Sequence, residues 1–225
     1  MNVLIFGATG MVGQGVLREC LLARDVAQVR AIGRSRTGVA HAKLNELVHA
    51  DLFDYSGLQE ELKGFNACFF CLGVSSVGMD EASYRRVTYD LTMAAAQALA
   101  PLNPGMTFVY VTGVGTDSTE EGRSMWARVK GATENALQRL PFKAVYLFRP
   151  GVIQPLHGAR PKVGWIHAIY LAMSPVLGLA HRLAPRWVLT TEVIGQAMLG
   201  VARHGAPKAI LEPADIDAAA KASMA

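Results

Sequence analysis

The chain has 225 residues, 51% of them hydrophobic and 18% charged, with a net charge of +4. This excludes a disordered or low-complexity chain and supplies the apolar material for one globular domain with its own core. The mild positive charge comes without a run of five Lys or Arg and without arginine–aromatic interleaving. The expectation is therefore no nucleic-acid partner and an anionic small molecule instead.

The chain enters on NVLIF, with no basic n-region and no cleavage site, so no secretory signal peptide is expected. Residues 2–6 read as a strand. Residues 11–23 read as a helix, with apolar stripes at Val12, Val16, Cys20 and at Leu17, Leu21. Between them lies Gly7-Ala8-Thr9-Gly10-Met11-Val12-Gly13, three glycines at three-residue spacing. Gly7 allows a sharp turn, Gly10 a close approach of backbone to a pyrophosphate, and Gly13 a tight seat of helix on sheet. The helix N-terminus then offers free N–H groups and a positive dipole end to phosphates. Strand before and helix after are the context that makes this spacing a dinucleotide-binding turn.

Residues 28–32 form a second strand, which runs into Gly33-Arg34-Ser35-Arg36. An NAD-specific fold places an acid here for the ribose 2′-hydroxyl. Two guanidiniums and a hydroxyl suit the 2′-phosphate of NADP instead, so NADP is expected over NAD. The third strand, residues 44–49, leads into HADLFD. There Asp51 can accept from an adenine amino group with Leu52 against the ring, or Asp51 can simply cap a turn.

Residues 67–72 make a fourth strand containing Cys68 and Cys71. Three residues apart on a strand, the two thiols face opposite sides, so one metal could not easily take both. The six histidines show no metal-ligand spacing either, and no metal is expected. Three free thiols suit a reducing compartment, and the expected location is cytoplasmic. A helix over 80–100, a strand over 106–112, a helix over 121–140 and a strand over 143–148 follow.

Beyond Pro155 the strand–helix alternation stops. Helices are expected over 164–183 and 192–204, the second capped by Thr190 or Thr191, with a short strand over 209–211. Residues 163–183 are the most apolar stretch, but His167, Ser174 and Pro175 interrupt it. That favours a buried or lid helix over a membrane span and leaves docking on a membrane surface as a lesser alternative. Trp165, Ile166, Ile169, Tyr170 and Met173 would give such a lid a greasy lining, or else form core or a dimer contact.

Apolar strands separated by helices mean a parallel sheet covered on both faces. The expected fold is α/β, a doubly wound parallel sheet (Rossmann-like) with a small helical C-terminal cap. Residues 1–155 would be the NAD(P)-binding core and residues 156–225 a helix-rich cap completing the same domain, as a monomer or homodimer.

The strings GATGMVG, CFFCLG, VTGVGTD, VKGATE and FRPGV, in this order, resemble the atypical short-chain dehydrogenases/reductases of the NAD(P)-binding, epimerase-like kind. The nearest in look are Tat-interacting-protein-type oxidoreductases and bacterial nucleoside-diphosphate-sugar epimerases. The resemblance covers residues 1–155, and TTEVIGQAM in the tail continues it. It implies that Leu72 and Gly73 lie against the cofactor's ribose and pyrophosphate side. It further implies that Lys130 binds the nicotinamide ribose, and that Thr112, where the family has Ser, polarises a substrate carbonyl. Pro150, Gly151 and Val152 would line the nicotinamide pocket. The implied activity is that of an NAD(P)(H)-dependent oxidoreductase or epimerase-like enzyme on a small-molecule carbonyl or alcohol.

One position departs from the family. The tyrosine that serves as proton donor should stand four residues before the lysine, and Trp126 stands there. An indole N–H donates a hydrogen bond but is no acid near pH 7. Three readings follow: another group, such as Tyr84, Tyr89 or His157, gives the proton; water assists a slow transfer; or the chain is a non-catalytic NADP(H)-binding regulatory or scaffold protein.

Overall fold

The computed structural model describes residues 1–160 and 188–224. In chain order, β1 (Asn2–Phe6) leads through a tight turn to α1 (Met11–Leu22), followed by β2 (Gln28–Gly33), β3 (Leu44–Val48), α2 (Gln59–Leu62) and β4 (Ala67–Phe70). Next come α3 (Glu81–Arg85), a π-helical turn (Arg86–Asp90), α4 (Leu91–Leu102), β5 (Thr107–Val111), α5 (Met125–Leu137) and β6 (Ala144–Phe148). β7 (Val152–Gln154), β8 (Val188–Thr190), α6 (Thr191–His204), β9 (Ile210–Leu211) and α7 (Pro213–Met224) complete the described chain.

Seven strands form one sheet in the order β3-β2-β1-β4-β5-β6-β9, every pair parallel. The expected doubly wound α/β fold is borne out. Successive side chains of each strand alternate between two apolar layers. Val3 and Ile5 of β1 join Phe69, Val109 and Phe148 on the side of α1 and α6. Leu4 and Phe6 join Phe70, Phe108 and Leu147 on the side of α4 and α5. Phe6, Phe69, Phe70, Phe108 and Phe148 are fully buried, each contributing about 1.5–3 kcal/mol of transfer free energy. Cys68 sits in the second layer and Cys71 packs on the first, the opposite-face arrangement that period-two geometry demands. Among the described residues no cluster of His, Cys, Asp or Glu could hold a metal ion, and no helix is long and apolar enough to cross a membrane.

The described chain from Val188 onward is built into this core. β9 pairs with β6 through Leu147↔Ile210 and Phe148↔Leu211. α6 lies on α1, burying Ile194, Ala197 and Met198 beside Val16 and Leu17, with Arg203 Nε 3.0 Å from Asp25. Thr190 caps α6 by accepting from Val193 N–H at 3.1 Å, while Thr191 accepts from Leu156 N–H at 3.1 Å. The helix expected over 164–183 lies outside the described residues.

Two expected helices differ in detail. The helix expected over 80–100 contains the π-helical turn, and just beyond it the Thr92 hydroxyl of α4 donates back to the Thr88 carbonyl at 2.6 Å. The helix expected over 121–140 begins only at Met125. The carboxylate of Asp117 takes the amide of Gly122 at 2.6 Å and the amide and hydroxyl of Thr119, and so holds the preceding loop out of helical geometry.

Candidate functional site

β1 and β4 are neighbours whose chains leave in opposite directions, β1 toward β2 and β3, β4 toward β5 and β6. The crevice above their C-terminal ends is where such sheets bind ligands. Gly7 turns there with φ +80°, and a Cβ on it would stand 2.8 Å from the backbone of Cys71 and Leu72. A Cβ on Gly13 would stand 2.0 Å from the Gly7 carbonyl oxygen. Side chains at either position would push the turn off β4 or α1 off the turn. The N-terminus of α1 carries no capping side chain and no acid in its first turn. Its dipole end is therefore left for an anion, and the glycine cradle leaves room for one. These residues fit the pyrophosphate of a dinucleotide.

On the β2 side the crevice opens into a cavity of about 260 Å³ lined by Gly7, Ala8, Thr9, Arg34, Ser35 and Leu52, among others. Arg36 is turned instead to an adjoining groove of about 660 Å³ that runs along α1 with Arg18, His41 and Arg160. Leu52 is buried at the cavity wall. Asp51 lies outside the lining and accepts from the Phe53 amide at 2.9 Å, a turn role. Glu46 of β3, which sequence reasoning passed over, does line the cavity, and its Oε1 accepts from both the amide (2.6 Å) and the hydroxyl (2.7 Å) of Thr37.

On the β5 side lies a cavity of about 560 Å³. Gly10, Met11 and Val12 wall it from the glycine turn, Leu72 and Gly73 from the exit of β4, Thr112 and Lys130 from β5 and α5, and Pro150 and Gly151 from the exit of β6. Val152 is half exposed and outside this wall, while Ile153 lines it. Lys130 donates from Nζ to the Thr112 carbonyl at 3.0 Å. Burial pushes its pKa down to about 8, with the carboxylate of Glu134 one turn further on opposing the shift.

The Thr112 hydroxyl faces inward. It donates to Glu134 Oε1 at 2.6 Å and lies 3.1 Å from the Phe148 carbonyl oxygen. Its hydrogen is thus committed to Glu134, not presented to the cavity as the resemblance implies. Glu134 is fully buried and paired with Arg149, whose Nε reaches Oε1 at 3.1 Å and whose terminal nitrogen meets Oε2. Arg149 also donates to Ser118 Oγ at 2.6 Å, and the Glu134 carboxylate raises its pKa. This network behind the cavity was not read from the sequence. Its one local signal is the four-residue spacing of Lys130 and Glu134, which puts both on one helix face.

Trp126 precedes Lys130 by one turn, and its ring carbons come within 3.5 Å of where a Gly115 Cβ would be. Of the alternative proton donors, Tyr84 is buried away from the cavity, its phenol pKa raised by that burial. Tyr89 lies beneath the Arg85 guanidinium at 4.0 Å. His157 contacts Glu192 at 2.5 Å on the α1 groove. None of the three lines the cavity of Lys130 among its described residues.

Comparison with known proteins agrees with this fold. A family profile described as NAD(P)H-binding matches residues 7–143. Protein fmp52, mitochondrial, of Emericella nidulans is 26% identical over 204 residues, covering 87% of this chain and 84% of that protein. Protein HTATIP2 of Rattus norvegicus is 28% identical over 155 residues, covering 68% of this chain and 62% of that protein. Among solved structures, the Bordetella bronchiseptica enzyme WbmF in complex with NAD+ superposes with a TM-score of 0.68 at 15% identity, covering 96% of this chain and 76% of that one. The expected cytoplasmic location does not stand, because the Emericella nidulans relative is by name a mitochondrial protein. Free thiols report a reducing environment without telling one reducing compartment from another.

Proposed function

Because the chain belongs to the NAD(P)H-binding family and carries the atypical short-chain dehydrogenase/reductase fold, we propose that it is an NADP(H)-dependent oxidoreductase or epimerase-like enzyme. Its substrate would be a small carbonyl or alcohol. The observation that carries this reading is one shared wall. Met11 and Val12, at the anion-binding start of α1, and the ammonium of Lys130 line the same cavity.

In this reading the dinucleotide lies across the crevice and supplies the hydride-transferring ring. Gly7, Gly10 and Gly13 let the α1 N-terminus hold the pyrophosphate. Arg34 and Ser35, with Arg36 close by, favour a 2′-phosphate over a 2′-hydroxyl. Leu52 packs against the adenine, with Asp51 beside it at the turn. Lys130 holds the nicotinamide ribose by a charged hydrogen bond, and Thr112 fixes Lys130 through its carbonyl. Pro150 and Gly151 close the far wall, and Val152, outside it, leads the chain on to Ile153, which lines it. Residues 1–155 act as the cofactor-binding core and residues 156–225 complete the same domain. Trp126 offers a flat ring and no acid, so the substrate's proton comes from another group of the pocket or from water.

Fluorescence titration of the purified chain with NADPH and NADH tests the cofactor. The expected result is NADPH bound at least tenfold more tightly, about 1.4 kcal/mol. Oxidation of NADPH is then followed across a panel of small aldehydes and ketones, with the Lys130→Ala variant alongside. Turnover lost in that variant supports the assignment, and turnover that persists unchanged sinks it.

A further inference from the structure

β3 puts a carboxylate into the cavity where the proposed site receives the 2′ end of its cofactor. Glu46 stands opposite Ala31 of β2 and lines the same 260 Å³ cavity as Arg34 and Ser35. One of its oxygens takes both hydrogen-bond donors of Thr37, at 2.6 and 2.7 Å. The other, Oε2, has no hydrogen-bond partner among the described residues. The charged groups around it are Arg34 on the cavity wall and Arg36 on the loop between β2 and Thr37. The Thr37 bonds, with a smaller share from Arg36, hold the carboxyl below its usual range, so it is an anion at neutral pH.

Two effects follow from this position. The paired bonds tie Thr37 to β3, and Thr37 ends the four-residue stretch that presents Arg34 and Ser35. The negative charge stands in the cavity those residues line, so a 2′-phosphate entering it meets both signs.

We infer that Glu46 is a specificity-determining residue of the cofactor cavity: it anchors the 34–37 loop through Thr37, and its charge opposes a 2′-phosphate, holding the preference for NADP(H) below what the arginines alone would give. This rests on the reading of the cavity under Proposed function. A screened unit charge at the wall of a half-open cavity alters anion affinity by roughly three- to tenfold. It leaves a ligand without the 2′-phosphate almost untouched.

The test uses the whole chain with 2′,5′-ADP and 5′-AMP, which differ only in the 2′-phosphate, measured by calorimetric titration. Glu46→Gln keeps an oxygen for Thr37 and removes the charge. It is expected to bind 2′,5′-ADP about three- to tenfold more tightly, with 5′-AMP changed less than twofold and the gain shrinking in high salt. Glu46→Ala removes both charge and anchor and is expected to gain less than Glu46→Gln. An unchanged ratio of the two affinities in Glu46→Gln would overturn the charge effect, and an equal gain in Glu46→Ala would overturn the anchoring. If the unaltered chain binds neither ligand, nor NADPH nor NADH, the reading of the cavity falls and this inference falls with it.

Discussion

At the β2 end of the crevice, the groups that could grip a ligand sit on the sheet's outer side. Arg34 and Ser35 are exposed after β2, and Glu46 is half-buried on the edge strand β3. At the β5 end, Thr112, Glu134 and Arg149 are buried on β5, α5 and at the exit of β6, interior elements of the fold. Lys130 hangs from that interior network by its bond to the Thr112 carbonyl. A charged loop at an edge can be altered with little consequence for the core. A buried ion pair cannot, because removing one partner strands the other away from water. Recognition at the first end is therefore separable from stability, and at the second end it is not.

The widest contrast is expected from Glu134→Ala. The Arg149 guanidinium would stay buried beside Ser118 without its carboxylate, with Glu212 at 3.6 Å as the remaining partner. The expected loss is about 3–5 kcal/mol in urea unfolding. A loss under about 1 kcal/mol would erase the distinction between the two ends. Arg34→Ala probes the other end. Its unfolding midpoint should stay within about 0.5 kcal/mol of the parent, as for exposed positions generally. NADPH should bind about tenfold more weakly, the scale of one lost charged hydrogen bond, with NADH nearly unchanged. Equal weakening of both cofactors would mean that Arg34 acts through the loop's structure and not on the phosphate.

A pH-dependent effect sharpens the picture at Lys130. Burial lowers its folded pKa to about 8, below its ordinary value in the unfolded chain. Above pH 8 the unfolded chain therefore binds more protons at this site than the folded one. The contribution of Lys130 to stability accordingly improves from about pH 8 toward pH 10. Over the same range the ammonium is lost, and in the proposed role of Lys130 its bond to a cofactor ribose would weaken with it. Unfolding midpoints at pH 7.5 and 9.5, compared with those of Lys130→Met, isolate this contribution. An identical pH response in the variant would show that the ammonium is not desolvated.

What could be read from the sequence was local. The glycine turn announces itself because strand, turn and helix follow one another directly from Asn2 to Leu22, and the sheet does so because its central strands are apolar on both faces. The arginines after β2 were visible for the same reason. The buried pair was not, because Glu134 and Arg149 meet from separate elements and a glutamate on a helix ordinarily faces water. Glu46 was missed because LNELV reads only as strand, and nothing in it says which cavity its carboxylate faces. Thr112 lines the β5-side cavity, but the direction of its hydroxyl depends on Glu134, 22 residues later. The substitution of Trp126 was legible at once, while its packing against Gly115 required the fold.

The seating of α6 on α1 also bears on how the protein is made. The helix Met11–Leu22 is synthesised early, yet its apolar face is covered by Thr191–His204, roughly 170 residues later. At ordinary translation rates of about 5–20 residues per second, that interval is on the order of ten seconds or more. For that time Val16, Leu17 and Cys20 lack the helix that finally covers them. The strands of a parallel sheet, which must also find distant partners, wait alongside. Until Thr191–His204 has been made this face of α1 stays uncovered, and changes at the α1–α6 contact should first appear as lower yield at higher growth temperature.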